Sequence, residues 1–473
     1  MVVSQEQSII QRINAILYTP AYFFIIGGLT LFSNIFGLEL IVYTIFILIG
    51  AYICLFSRDL LPLLPLFICG YISPSRANNP GRNENSVFSL SGSGLYLVIL
   101  LVGVVICLVY RLIKDPNFGG RKFLCKKRKL LVGMLVLGAA YAISGLGSGQ
   151  WSEFGWQNLF FAFLQLAAIA GLYFLFTGGV RWDMAPKAYL FWTGTCVGYI
   201  LLFELLNLYL DAKVIVDGTI FRNDIYTGWG HYNNIGALFT MIIPMPFFLT
   251  GKGRYASFAY ASAILFYIGL LFTASRGSIL FGTPIFIASY IFSLWHRRHA
   301  RRQLLVHFGA MVVVALGIMF IHDNVVQLFK VFGDKGLESP ARVNIYEVGA
   351  AQFLQFPIFG GSFFPVDADL FSWSNSEKFL SFFPPRWHNT FLQLLATGGI
   401  VCACAYIFHR VQTVKLFVND FTEEKLFAAL SILALLTTSL LDCHFFNIGP
   451  VLLYSATLAV VECQLGKDKT RTV

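Results

Sequence analysis

Residues 39–56 read ELIVYTIFILIGAYICLF, with a single charged side chain at the very start. In water a helix buries one apolar stripe and keeps the opposite face polar, and this stretch has no polar face to offer. In lipid it needs none. Roughly 20 mostly apolar residues make one helical crossing of a bilayer, with every backbone N–H and C=O bonded within the segment. Similar runs recur near 18–36, 59–73, 93–113, 128–146, 156–177, 186–209, 233–250, 255–274, 277–295, 303–321, 389–408, 425–441 and 447–463. The segment 59–73 is short and carries Pro62 and Pro65, as a re-entrant hairpin would. The expected fold is therefore an all-α, polytopic integral membrane helical bundle of about 12–14 transmembrane helices. Residues 1–473 form a single membrane domain in this reading.

Composition leads to the same place. Hydrophobic residues make up 57% of the 473 and charged residues only 12%, against about 25% charged in a soluble domain. The 48 Phe and 21 Tyr suit lipid-facing and interfacial positions. Strand alternation is lacking, which argues against an outer-membrane barrel. The net charge of +10 would suit a nucleic-acid binder, but the Lys and Arg cluster in short loops between apolar runs, so no nucleic-acid partner is expected. Most of the nine cysteines lie inside apolar runs, as small buried residues do. Cys402 and Cys404 are two apart, so they face different sides of a helix and make a poor metal pair. No metal site, cofactor or disulfide framework is expected. The run after Pro20 reads as a retained span rather than a cleaved signal peptide.

Charge in the loops orients the bundle. Eight Lys/Arg lie between Arg111 and Lys129, which makes that segment cytoplasmic. Alternating outward puts Arg181/Lys187, Lys252/Arg254, Arg297 to Arg302, Arg410/Lys415 and the Lys467–Arg471 tail on the same side. Both termini are then cytoplasmic, and 74–92, 147–155, 210–232 and 322–388 are external. The last is by far the longest. Bundle helices are usually joined by roughly 2–8 residues, and much longer connections tend to carry function or structure of their own.

Chemistry-bearing side chains gather at that external end. Arg276, in Ser275-Arg276-Gly277, lies in a tight turn between two spans. Arg342, after Ser339-Pro340-Ala341, opens a helix within the long loop, with Pro near its start and Ser339 as a possible cap. His388 lies where that loop re-enters the membrane. Guanidinium groups grip phosphate through paired, charge-assisted hydrogen bonds and stay ionised when partly buried. An imidazole near neutral pH can take a proton from an attacking hydroxyl. Two arginines and one histidine at one interface suggest a site for a phosphorylated lipid. A lone interfacial Arg equally snorkels to headgroups, Arg342 could pair with Glu338 or Glu347, and His388 could be a satisfied structural histidine.

Other signals are softer. Trp229-Gly230-His231-Tyr232-Asn233-Asn234 leads into a span from outside; His231 and Asn234 could line the site, or Asn could cap the helix. Trp373, Phe382, Phe383 and Trp387 could stack on sugars or belong to an aromatic belt. Phe356-Pro357-Ile358-Phe359-Gly360-Gly361 reads as a turn closing the loop helix. Glu204, inside a span, requires a polar partner or a role.

In combination these residues resemble the O-antigen ligase and O-antigen polymerase superfamily of bacterial surface-glycan enzymes. The carriers are Ser275-Arg276-Gly277, then Arg342 followed by Pro357-Ile358-Phe359-Gly360, then His388-Asn389-Thr390-Phe391-Leu392-Gln393 with Gly398-Gly399. Tyr232-Asn233-Asn234-Ile235-Gly236 is similar to the family's Asn-rich opening of an earlier span, with Asn where proline is common. The resemblance covers residues 225–410, with 322–388 as the large extracytoplasmic loop. It implies a metal-independent glycosyltransferase in the bacterial cytoplasmic membrane. The donor is a glycan on undecaprenyl diphosphate, and the acceptor a saccharide or glycolipid on the extracytoplasmic face. Carried over, Arg276 and Arg342 bind the diphosphate and His388 is the base, with His231, Asn234, Trp387 and Asn389 as further substrate contacts. A repeat-unit polymerase is the alternative within the superfamily. A transporter or flippase of lipid-linked sugars is the alternative from another class; it predicts inverted repeats and several mid-membrane ionisable groups.

Overall fold

The apolar runs are helices in a computed structural model, which describes residues 2–70, 93–114, 127–180, 186–210, 215–216, 219–220, 225–227, 229–251, 255–296, 301–321, 340–364, 386–419 and 421–463. The first half holds α1 (Val2–Leu17), α2 (Pro20–Phe36), α3 (Glu39–Phe56), the short α4 (Leu63–Gly70), α5 (Ser93–Lys114), α6 (Leu131–Ala142), α7 (Gln150–Leu166), α8 (Leu172–Gly179) and α9 (Pro186–Leu210). A π-turn at Ala167–Gly171 joins α7 to α8. Two antiparallel hairpins follow: β1 (Ile215–Val216) with β2 (Thr219–Ile220), and β3 (Tyr226–Thr227) with β4 (Gly230–His231). The second half holds α10 (Tyr232–Ile242), α11 (Ala256–Phe272), α12 (Arg276–His296), α13 (Arg301–Ile321), α14 (Pro340–Gln355), α15 (Thr390–Val418), α16 (Glu423–Thr438) and α17 (Ile448–Cys463).

The expected all-α polytopic membrane bundle is what forms. Among the described residues six helices are long and apolar enough to cross a membrane, or seven if the bent pair α1–α2 is one span. Of the other predicted spans, α5 and α13 are continuous helices of 22 and 21 residues, and the rest are shorter helices. The re-entrant reading of 59–73 corresponds to the eight-residue α4. Three boundaries differ from the sequence reading, each for a local reason. Helix α1 precedes the first apolar run; its mixed polar and apolar residues escape a search for apolar stretches. Helix α10 ends at Ile242 instead of 250 because Pro244 and Pro246 lack the N–H that would continue it, and a 3₁₀ turn (Pro246–Gly251) takes over. Helix α15 runs to Val418, ten residues beyond the expected end. It passes Arg410 because that guanidinium lies over the rings of Tyr406, Phe445 and Tyr454, at 4.4, 4.2 and 5.0 Å, and donates to Tyr454 Oη at 2.7 Å.

One device positions the loop helix against the bundle. Helix α15 breaks at Gly399, whose φ of 63° and ψ of −162° take it out of the helix. The break deprives the amides of Ile400 and Val401 of their usual partners four residues back. They donate instead to the carbonyls of Pro357 at 2.9 Å and Ile358 at 3.2 Å. The orphaned carbonyls of Ala396 and Thr397 accept from the amides of Gly361 at 2.9 Å and Ser362 at 3.0 Å. The chain 357–362 thus fills the gap in α15, and all four groups are satisfied where no water is at hand. Only glycine fits the junction: a Cβ on Gly360 would lie 2.3 Å from the Thr397 carbonyl carbon, and one on Gly399 2.3 Å from the Ile358 oxygen. Phe359 O also accepts from Gly145 N at 2.7 Å, which ties in the α6–α7 turn. Helix α14 is thereby clamped onto α15, with Ile345, Val348 and Leu392 packed around the fully buried Trp387.

Candidate active site

Four chain segments meet at one end of the bundle: the starts of α10, α12 and α15, and the turn between α16 and α17. Their meeting point is a buried carboxylate, Asp442, in the turn Leu440-Leu441-Asp442-Cys443-His444. His388 Nδ1 stands 3.4 Å from Asp442 Oδ1. The same oxygen accepts the Cys443 amide at 2.7 Å, while Oδ2 accepts Asn233 Nδ2 at 3.0 Å. Asn233 Oδ1 in turn accepts the Ser275 hydroxyl at 2.9 Å. One chain of contacts therefore runs from His388 through Asp442 and Asn233 to the residue before Arg276.

Local sequence explains each placement. Asn389 caps α15, its side chain accepting the Leu392 amide at 2.9 Å, and its amide group donates to Leu440 O at 2.9 Å. Thr390 N donates to Ser439 O at 2.9 Å, and Thr390 Oγ1 to Asp442 O at 3.3 Å. Gln393 Oε1 accepts both the Trp387 amide at 3.0 Å and the Cys443 thiol at 3.3 Å. These bonds hold the approach to α15 against the α16–α17 turn. His388 itself has φ +52°, and Ala274, two residues before Arg276, has the same value. Non-glycine residues in this region cost of order 1–3 kcal/mol and persist only where surroundings enforce them. Tyr346 Oη of α14 donates to the His388 carbonyl at 3.3 Å, one of the contacts that fix this conformation.

Electrostatics follow from burial and neighbours. Burial works against the Asp442 carboxylate, yet the His388 ring at 3.4 Å and the nearby His444 and His231 rings outweigh that and hold it well below the usual carboxylate range. His444 is buried more than it is helped by Asp442, so its imidazole is pushed down to about 4. Its Nδ1 stands 3.3 Å from Asn447 Nδ2, and a neutral ring can accept there.

The expected site residues divide. His388 and the Ser275-Arg276 turn are brought to the same cluster; Arg276 is half-buried and opens α12, where the helix dipole is positive. Arg342 lies in the first turn of α14, and its side chain is outside the described residues. His231 caps α10 by accepting the Asn233 amide at 3.2 Å, and Asn234 Oδ1 accepts Asn447 Nδ2 at 2.7 Å, so both take part in the framework around the acid. Asn389 is a helix cap. Trp387 has no exposed surface, which leaves no ring face for a sugar; it packs α14 onto α15. Trp373, Phe382 and Phe383 lie outside the described residues.

Sequence reasoning missed Asp442 and Arg386, and read Asn233 only as part of the stretch leading into α10. Arg386 donates to Asn447 Oδ1 and to Cys443 O, at 3.3 Å for the latter, and so fastens the turn from the other side. One signal was available for Asp442: it is a single acid between two apolar runs, the kind of residue that lipid tolerates only with a partner.

No curated protein matches the chain. Residues 261–407 match a family model described as O-Antigen ligase. That stretch contains Arg276, Arg342, the Pro357–Gly361 insertion, His388 and the Gly398-Gly399 break, and it stops short of Asp442. Over that stretch, about a third of its length, the chain is similar to the O-antigen ligase family.

Proposed function

We propose that the protein is a membrane glycosyltransferase that moves a glycan from undecaprenyl diphosphate to an acceptor saccharide, on the extracytoplasmic face, during surface polysaccharide biosynthesis. The observation that carries this reading is the His388–Asp442 contact at 3.4 Å, at the same helix ends as Arg276. With Nδ1 turned to the carboxylate, the proton sits on that nitrogen and Nε2 keeps its lone pair. Nε2 takes the proton of the acceptor hydroxyl as its oxygen attacks the anomeric carbon, and Asp442 stabilises the resulting imidazolium. The bond from that carbon to the diphosphate oxygen breaks, with inversion. Arg276 and Arg342 meet the negative charge that develops on the departing diphosphate. The lipid donor arrives laterally, and the positive-inside pattern of the loops supports the extracytoplasmic side.

Ligase and polymerase share this chemistry and differ in acceptor. Removing the gene from its bacterium separates them: single-repeat chains indicate a lost polymerase, whereas long lipid-linked chains left unattached indicate a lost ligase. Restoring the gene as His388→Ala should leave either defect in place. Full restoration by that variant would overturn the proposal and favour a transporter of lipid-linked sugars.

A further inference from the structure

Outside the His388 cluster, a small, mostly apolar pocket with a carboxyl group in it opens between α2 and α9. Glu204 and Asn34 lie in it, 6% and 4% exposed, although both belong to apolar helices. Asn34 Nδ2 donates to Glu204 Oε1 and the Thr227 hydroxyl stands beside the same carboxyl group, while Glu204 Oε2 makes no hydrogen bond of its own among the described residues. A carboxyl group set among apolar helices is costly and is retained where it binds something or is paired. The cavity measures about 20 Å³, room for one water-sized group. Its rim is amphipathic. Ile35 and Phe203 are half-exposed on the lipid side, whereas Asn207, Tyr226 and Thr227 close the polar side.

The pocket's position links it to the reaction. Glu204 is six residues from the end of α9, about 9 Å along the helix, and Asn34 is two from the end of α2. Tyr226 and Thr227 form β3, which pairs residue for residue with His231 and Gly230 of β4. His231 caps α10, whose Asn233 holds Asp442. The pocket and the candidate active site are thus two sides of one hairpin.

We propose that this pocket is a lateral subsite for a sugar of a membrane-embedded glycolipid, with one sugar hydroxyl inserted to donate to Glu204 and the ring resting at the mouth against Tyr226. The chemistry favours a neutral hydroxyl. The polar neighbours are amides and hydroxyls, which match a group that both donates and accepts, and a charged headgroup would have to shed water without such matching. The apolar rim takes the first carbons of the lipid chain. This inference rests on the glycosyl-transfer reading and extends it: a saccharide lipid would wait beside the hairpin that carries the site.

Native mass spectrometry on the purified full chain tests it, with glucosyl diacylglycerol, phosphatidylethanolamine and phosphatidylglycerol of matched acyl chains as probes. The wild type should retain the glucosyl lipid roughly 5–10-fold better than either phospholipid, about the worth of one good hydrogen bond. Glu204→Leu should abolish that preference, and His388→Ala should keep it. Tyr226→Ala, at the half-buried mouth, should also weaken it and serves if Glu204→Leu does not fold. Equal retention of all three lipids, a preference for phosphatidylethanolamine, or a preference that survives both pocket variants would overturn the proposal. Because the readout is binding, a chain that holds the glycolipid yet transfers nothing would count against the enzyme reading alone.

Discussion

His388 and Asp442 face each other at 3.4 Å across two segments far apart in the sequence, one leading into α15 and the other turning from α16 to α17. The two segments are held together by Thr390 N, Asn389 Nδ2 and Thr390 Oγ1, which donate to the carbonyls of Ser439, Leu440 and Asp442. The pair is therefore a property of the fold, and its loss should be felt in function before it is felt in folding. Asp442→Asn should leave purified protein monodisperse while lowering glycan transfer by about 10²-fold or more, since the amide no longer fixes the ring tautomer or stabilises the imidazolium. Transfer within twofold of wild type would remove Asp442 from the site.

Arg276 is expected to act by geometry as well as charge. Arg276→Lys keeps the charge but not the planar fork that pairs with phosphate oxygens. It should lose most of the activity that Arg276→Ala loses, on the order of tenfold or more, with the donor KM rising. Kinetics at varied donor concentration check this, and full activity of the lysine variant would reduce Arg276 to a headgroup contact.

The break in α15 leads to a stability prediction. Gly360→Ala would press a methyl group against the Thr397 backbone, and the left-handed φ of 69° adds strain. A loss of a few kcal/mol is expected, at the high end for a single substitution. Thermal unfolding in detergent should show a drop of several degrees in Tm, and an unchanged Tm would mean the insertion at 357–362 is not what holds α14.

Acid should weaken the turn below the site. His444 titrates at its ordinary 6.5 when unfolded and near 4 when folded, so the unfolded chain binds more protons between those values. Its contribution to stability is complete above pH 6.5 and is lost as pH falls towards 4. Asp442 is depressed, so its contribution is present above its ordinary 3.8 and is lost only at lower pH. Tm should therefore fall from pH 6.5 to 4.5 in the wild type and fall less in His444→Gln. Parallel curves for the two proteins would contradict this.

How much of this could be read from the sequence differs by residue. The spans were legible because lipid imposes a plain rule on composition, and Arg276 and His388 were legible because they stand at span ends inside recognisable motifs. Gly360 and Gly399 read as turn residues, but that the two turns complete each other's hydrogen bonds is a tertiary fact. Asp442 forms no carboxylate pair along the chain, and its partner is a histidine from another segment. Trp387 shows the converse: next to His388 it suggested a sugar platform, yet the indole is consumed by packing between α14 and α15. Asn389 likewise spends its side chain on a helix cap.

The most direct measurement is glycan transfer by the purified full-length protein in proteoliposomes, from a defined undecaprenyl-diphosphate-linked saccharide to a saccharide acceptor. Wild-type protein should form the glycosidic product with inversion, and His388→Ala should fall by about 10²-fold or more at equal protein recovery. Transfer by His388→Ala at the wild-type rate would contradict the assignment of His388 as the base.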